Sequence, residues 1–332
     1  MRGWHVLLGV GAGLVAAAWI YGAHVRQAGW VYEDPHMLLA TTGWGPRLLT
    51  RASWAVVRSP VLAHALNLAL HGLVAGLAAL LAWRLTRAWL AAVVAGLGLL
   101  VHPVAVETVA YAAGGRGELL AAVGIVGACV AVTWASPWRW PLVVGALGVA
   151  WLAKESAIVG LALVPLTWAV TTWRGSHEGL TRAWRGGVAG VLLALPVLVP
   201  PPADLRRLVN ADLYAEEITA VDWAVTQSTA AARLAVVAAT GRGMTLDYDY
   251  DRIPWDQRVV CAVGVGVVGL VIGAAWRWRP LVAYGLSWAP ISLAPRLMVQ
   301  TPRSYLNEHQ VYLALVGVLQ ALGAAVALWR VA

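Results

Sequence analysis

Apolar runs of roughly 15 to 22 residues follow one another along this chain, each ended by Arg, Pro or Gly, and that length matches the hydrocarbon thickness of a bilayer. They lie near residues 4–23, 61–83, 89–103, 117–135, 140–153, 156–173, 186–201, 257–276, 280–295 and 311–329. In lipid every backbone polar group must be satisfied internally, so each run is expected to be a helix. Composition agrees: 60% of the 332 residues are apolar and 12% charged, with a mean hydropathy of +0.70, outside the range of soluble domains. The expected architecture is all-α, a polytopic transmembrane helical bundle of about ten spans forming a single domain over residues 1–332. The first 23 residues could serve as a signal peptide. With so many runs behind them, a retained first span is the expectation.

A net charge of +8 would suggest nucleic acid in a soluble chain. Here the basic residues fall between apolar runs, where they set orientation, so no nucleic-acid partner is expected. With the N-terminus inside, the inner segments hold ten basic residues: Arg2, Arg84, Arg87, Arg139, Arg174, Arg182, Arg185, Arg277, Arg279 and Arg330. Their single acid is Glu178, and the outer segments hold 14 of the 24 basic residues and 15 of the 16 acids. Two outer loops are long, 24–60 and 202–256. The first contains RLLTRASWAVVRS, whose Leu/Arg/Trp spacing suits an interfacial helix, and the second contains a further candidate surface helix from Thr226 to Thr240. Cys129 and Cys261 both sit inside apolar runs, which leaves no disulfide framework and no metal-spaced pair.

Polar groups interrupt the apolar pattern at a few places, and ionisable groups at membrane depth are functional candidates by default. His102 and Glu107 lie near the outer end of the third run, and Arg116 and Glu118 at the outer start of the fourth. They suit either an Arg–Glu ion pair stapling two helices or a guanidinium fork for a phosphate. His64, Asn67 and His71 share one helix face, and either line a polar cavity or are satisfied by neighbouring helices. A spacing of i to i+7 separates the two His by about 10 Å, too far for a shared metal ion. Lys154 and Glu155 break an otherwise apolar stretch, which is expected to be a turn between two short spans. Lys154 is the only Lys among 24 basic residues, which hints that an ammonium is wanted there; a snorkelling interfacial Lys is the other reading. Glu33 and Asp34 stand side by side just beyond the first run.

Several of these segments carry a resemblance. His102, Pro103, Glu107, Val109 and Ala110, followed by Gly115, Arg116, Glu118, Leu119, Leu120 and Ala121, resemble the H-P-x-x-x-E-x-V-A…G-R-x-D/E-L-L-A segment of the GT-C class of polyprenol-phosphate-sugar-dependent membrane glycosyltransferases, with one extra residue between the halves. The branch they are most similar to is that of the tetratricopeptide-containing O-mannosyltransferases and their bacterial relatives. Tyr32 to Pro35 resembles the family's Y/F-D-D or D-E motif, His64 to His71 its second span, and Leu152 to Ala157 its L-S/A-K-E-T/S segment. Leu246, Asp247 and Tyr248, and then Arg303 to Gly317, resemble two later segments. The chain departs from the pattern at His309, where the family has Arg, at Ala314, where it has Pro, and at Ala105, where many relatives have a second His.

The resemblance implies a GT-C-like fold and an inverting transfer of a hexose, most often mannose, from a polyprenyl phosphate to a hydroxyl acceptor. Glu33 or Asp34 would be the general base. Arg116 and Lys154, with Arg303, Arg296 or a protonated His309, would hold the donor phosphate, and His102, Glu107, Glu118, His64, Asn67 and His71 would line or shape its cavity. No metal and no cofactor are implied; the lipid-linked sugar is a substrate. The expected setting is a bacterial inner membrane with a cytoplasmic N-terminus and an outward-facing site. The family's C-terminal repeats have no counterpart before Ala332, so a partner protein in their place is a further expectation. A non-catalytic subunit keeping this scaffold inside a larger membrane assembly is the alternative.

Overall fold

The structure is a computed structural model that describes residues 4–25, 29, 47–112, 114–172, 220–240, 242, 255–298 and 308–329. Among these residues it is all-α, with no strand. The helices are α1 (Trp4–Val25), α2 (Leu48–Val56), α3 (Pro60–Thr86), α4 (Trp89–Val101), α5 (Ala105–Ala110), α6 (Gly114–Val132), α7 (Arg139–Ala153) and α8 (Gly160–Thr172). They are followed by α9 (Ala220–Thr240), α10 (Trp255–Trp278), α11 (Pro280–Met298) and α12 (Tyr312–Trp329). Short 3-10 segments, Glu155–Val159 and Glu308–Val311, precede α8 and α12.

Nine of the ten expected apolar runs fall on these helices, and the run at 186–201 lies outside the described residues. Among the described residues four segments are long and apolar enough to cross a bilayer: Pro60–Thr86, Gly114–Val132, Glu155–Thr172 and Tyr312–Trp329. Such helices are those of an integral membrane protein. Along α10, Val260, Val263, Val267, Val268, Leu270 and Val271 are all exposed, an apolar surface that water would not tolerate and lipid does.

Local chemistry sets the boundaries. Pro60 and Pro280 open α3 and α11, where a missing N–H costs nothing. Arg87 closes α3 in the left-handed region at φ 59°. The third run was expected to continue to residue 103. α4 stops instead at Val101, because the residue before Pro103 is pushed out of helical geometry. The backbone then forms the short α5 between the third and fourth runs. Lys154 is fully extended at φ −159° and ψ 141°, so the expected break between two short helices is present. α2 occupies the expected interfacial stretch. α9 begins six residues before the expected Thr226, since no Gly or Pro interrupts residues 220 to 225. It also packs more deeply than a surface helix, burying Ala230, Leu234 and Val237 in the common core.

Consecutive long helices run up and down, so the bundle has two ends. α3 and α6 occupy the middle. α3 packs on α1, α4 and α6, α6 packs on α7 and α8, and α12 packs on α4 and α11. Small residues allow this closeness, as lipid-embedded packing requires. A Cβ on Gly13 of α1 would lie 2.4 Å from the Gly72 carbonyl oxygen of α3. One end carries the connections 84–88, 133–139 and 277–280, with five Arg and no acid. The other carries α2, α5 and both 3-10 segments, and there the candidate residues gather.

Candidate functional site

The three-residue stripe on α3 is tied into its neighbours. Asn67 is fully buried, and its Nδ2 lies 3.2, 3.3 and 3.4 Å from the carbonyl oxygens of Val109, Tyr111 and Ala112. Its Oδ1 accepts from Arg116 Nε at 3.0 Å. The amide orientation follows from chemistry, because a guanidinium can only donate. Arg116 is 1% exposed, and its Nη2 also donates to the Ala63 carbonyl at 2.9 Å. A buried charge persists only where such partners replace water. One residue earlier, Gly115 presses against α5: a Cβ there would lie 1.9 Å from the Thr108 carbonyl oxygen.

One turn up α3, His64 Nε2 lies 2.8 Å from the Gly29 carbonyl oxygen. His71 lies two turns deeper than His64, away from the polar end. Its Nε2 is 3.3 Å from the Leu100 carbonyl oxygen and its Nδ1 is 2.7 Å from the Tyr312 hydroxyl. A carbonyl only accepts, so a neutral ring carries its hydrogen on Nε2 and accepts from Tyr312 at Nδ1. The Tyr21 hydroxyl donates to the same Leu100 carbonyl at 2.6 Å. His102 follows α4, where its Nδ1 accepts from the Val104 N–H at 3.3 Å. Burial lowers its pKa, partly offset by the Ala238 backbone beside it. Glu107 is buried on α5, which packs on α3 and α6.

Glu118 faces away from Arg116. Two residues along a helix turn a side chain by about 200°, and Glu118 pairs with Lys154, their side chains 13% and 17% exposed. Beside this pair is a second one, in which Arg47 grips Glu155 with two hydrogen bonds, Nε to Oε2 at 2.9 Å and Nη2 to Oε1. That bond raises the Arg47 pKa further above its ordinary value. Arg47 adopts φ 75°, a left-handed backbone that a non-glycine residue holds only when its surroundings enforce it. Thr50 Oγ1 donates to the Ala153 carbonyl at 2.7 Å, docking α2 on the end of α7. Gly117 faces the same spot, its Cβ position 3.7 Å from the Lys154 side chain.

The structure therefore joins Asn67 to Arg116 and Lys154 to Glu118, and separates these two pairs into an inner and an outer layer of one end. The sequence reading missed Arg47; its only signal was an Arg at the start of an amphipathic stretch inside a long loop. Glu33, Asp34, Leu246, Asp247, Tyr248 and Arg303 lie outside the described residues. His309 belongs to the 3-10 segment that packs on α5 and α6, and neither its side chain nor that of Arg296 is among those described. Among the described residues no three His, Cys, Asp or Glu gather as a metal site would need. What the helix break offers chemically is a pair of partly exposed cations, Arg47 and Lys154, each held by a carboxylate that an entering anion would displace. No family model, curated protein or solved structure matches this chain.

Proposed function

We propose that this chain is a membrane glycosyltransferase that moves a hexose, mannose by resemblance, from a polyprenyl phosphate to a hydroxyl acceptor with inversion. The observation that carries the reading is the helix break at Lys154. There the chain's single ammonium, Glu118, Arg47 and Glu155 gather at the end of the bundle that also holds the Arg116–Asn67 pair. The reading takes the fold as GT-C-like, with about ten spans, a cytoplasmic N-terminus and the site facing outward from a bacterial inner membrane. The ten-to-one excess of inner basic residues over acids supports that orientation.

In this reaction Asp34 or Glu33 takes the proton of the acceptor hydroxyl. The acceptor oxygen attacks C1 of the sugar opposite the phosphate, the C1–O bond breaks, and polyprenyl phosphate leaves with the bonding electrons. Cations placed on that leaving group lower the barrier most. Lys154 and Arg47, both partly exposed, supply the positive charge at the helix break, joined by Arg303 or His309. Arg116, buried against Asn67 and Ala63, shapes the cavity with His102, Glu107, His64 and His71 from behind. The test is transfer of labelled hexose from a polyprenyl-phosphate donor by purified protein. Loss in Asp34→Asn or Glu33→Gln is the expected result, and wild-type activity in the double variant overturns the base assignment.

The burial of Arg116 and the carboxylate pairing of Arg47 and Lys154 favour a second reading, a non-catalytic subunit that keeps this scaffold within a larger assembly. A stoichiometric partner that co-purifies with protein lacking sugar transfer supports that reading over the first.

A further inference from the structure

The opposite end of the bundle holds a cleft of about 500 Å³ that the reaction above does not use. Arg84 at the end of α3, Arg87 in the link to α4 and Arg279 in the link from α10 to α11 all line it, with Thr171, Trp278 and Leu328. Among the described residues no Asp or Glu lines it. α6 separates this end from Arg116 by most of its 19 residues, a helix about 28 Å long. Three like charges from three elements repel in one cleft, and the charge of Arg87 acts on Arg84. Such convergence is costly in an empty site and favourable once an anion enters.

The arginines are presented for contact with a ligand. Arg84 makes one hydrogen bond among the described residues, Nη2 to the Thr133 carbonyl at 3.0 Å, and lies 6.0 Å from the Trp134 ring centroid. Arg87 lies 5.6 Å from the Trp83 ring centroid. Arg279 is exposed. Exposed tryptophans ring the same end: Trp89, Trp138, Trp140, Trp278 and Trp329. Indoles gather at headgroup depth because one edge is wet and the rest apolar. The cleft thus opens where phosphates of the bilayer lie, and planar guanidiniums match phosphate oxygens in pairs.

We propose that this cleft binds the phosphate diester of an anionic phospholipid headgroup, held by Arg84, Arg87 and Arg279. A headgroup rather than a soluble phosphate is the occupant because the tryptophan ring sets the cleft at lipid depth and Leu328 and Trp278 offer apolar wall beside it.

The test uses the full chain in nanodiscs of phosphatidylcholine doped with phosphatidylglycerol, with bound lipid counted by native mass spectrometry. Wild-type protein retains phosphatidylglycerol over phosphatidylcholine, and inorganic phosphate at millimolar concentration does not displace it. Each Arg→Gln change at 84, 87 or 279 weakens retention roughly five-fold, as expected for one basic group at an anionic surface. Arg279→Gln is the safest variant for folding, since the side chain is exposed in a link, and Arg84→Lys keeps the charge and most of the retention. Equal retention of both lipids by wild type, or unchanged preference in Arg279→Gln and Arg87→Gln, overturns the site. Displacement by inorganic phosphate at equal affinity overturns the lipid assignment and makes free phosphate the ligand.

Discussion

Arg116 on α6 donates to Asn67 on α3 across 3.0 Å, 49 positions apart along the chain. The bond lies where both side chains are buried, 1% and 0% exposed. Asn67→Leu keeps the shape of the site but removes the acceptor from a buried cation. The expected cost is about 2–3 kcal/mol of stability. A double-mutant cycle with Arg116→Met, read by thermal unfolding in detergent, should show strong coupling, with the double variant more stable than the sum of the singles allows. Additive losses would mean that the bond is incidental.

Lys154 and Glu118 make opposite predictions for sugar transfer. If the ammonium binds the donor phosphate, Lys154→Met lowers transfer by roughly 10²-fold or more, the usual effect of removing one group that stabilises leaving-group charge. Glu118→Gln removes a competitor for the same ammonium and leaves transfer at or above wild type. A matched loss in both variants, accompanied by a matched fall in melting temperature, would make the pair a structural staple.

The helices were legible because their signal is local. Apolar runs bounded by Arg, Pro and Gly mark α3, α6 and α12 without reference to any other part of the chain, and the Lys154–Glu155 break stands out against its apolar flanks. The grouping of the polar residues was less so. Arg116 and Glu118 sit two apart, and only the packing of α6 between α3 and α7 decides that one points inward to Asn67 and the other outward to Lys154. The His64–Asn67–His71 stripe could equally have lined a cavity. That it bonds to backbone and tyrosine depends on carbonyls of the α4 end and of the α5–α6 link, which no helical periodicity reports. Arg47 was hidden for the same reason, since its partner Glu155 lies 108 residues away.

Gly115 and Gly127 stand on the same helix and should respond differently to one added methyl. A Cβ at Gly115 would meet the Thr108 carbonyl at 1.9 Å, whereas nothing lies within 4 Å of one at Gly127. Gly115→Ala therefore forces α5 away from α6, at a cost of about 1–3 kcal/mol for overpacking. Gly127→Ala gains helix propensity and is neutral or stabilising. Thermal unfolding of the two variants side by side checks the fit of α5 against α6; equal behaviour would contradict it.

His71 and Tyr312 offer the most selective test of the core, because a single oxygen atom is at stake. The Tyr312 hydroxyl is 2.7 Å from His71 Nδ1, and both residues are buried. With Nε2 facing the Leu100 carbonyl, Nδ1 is an acceptor whose donor is that hydroxyl. Tyr312→Phe preserves the ring and its packing and leaves Nδ1 buried without its donor, which costs about 1–3 kcal/mol. Tyr21→Phe also removes a hydroxyl, the one donated to the Leu100 carbonyl, but that carbonyl keeps His71 as a partner, so its loss should be smaller. Nitrogen chemical shifts of His71 distinguish this tautomer from the reverse. Protonation at Nδ1, or a Tyr312→Phe variant as stable as wild type, would break the proposed chain from Tyr312 through His71 to Leu100 and remove the tie that joins α12 to α3 and α4.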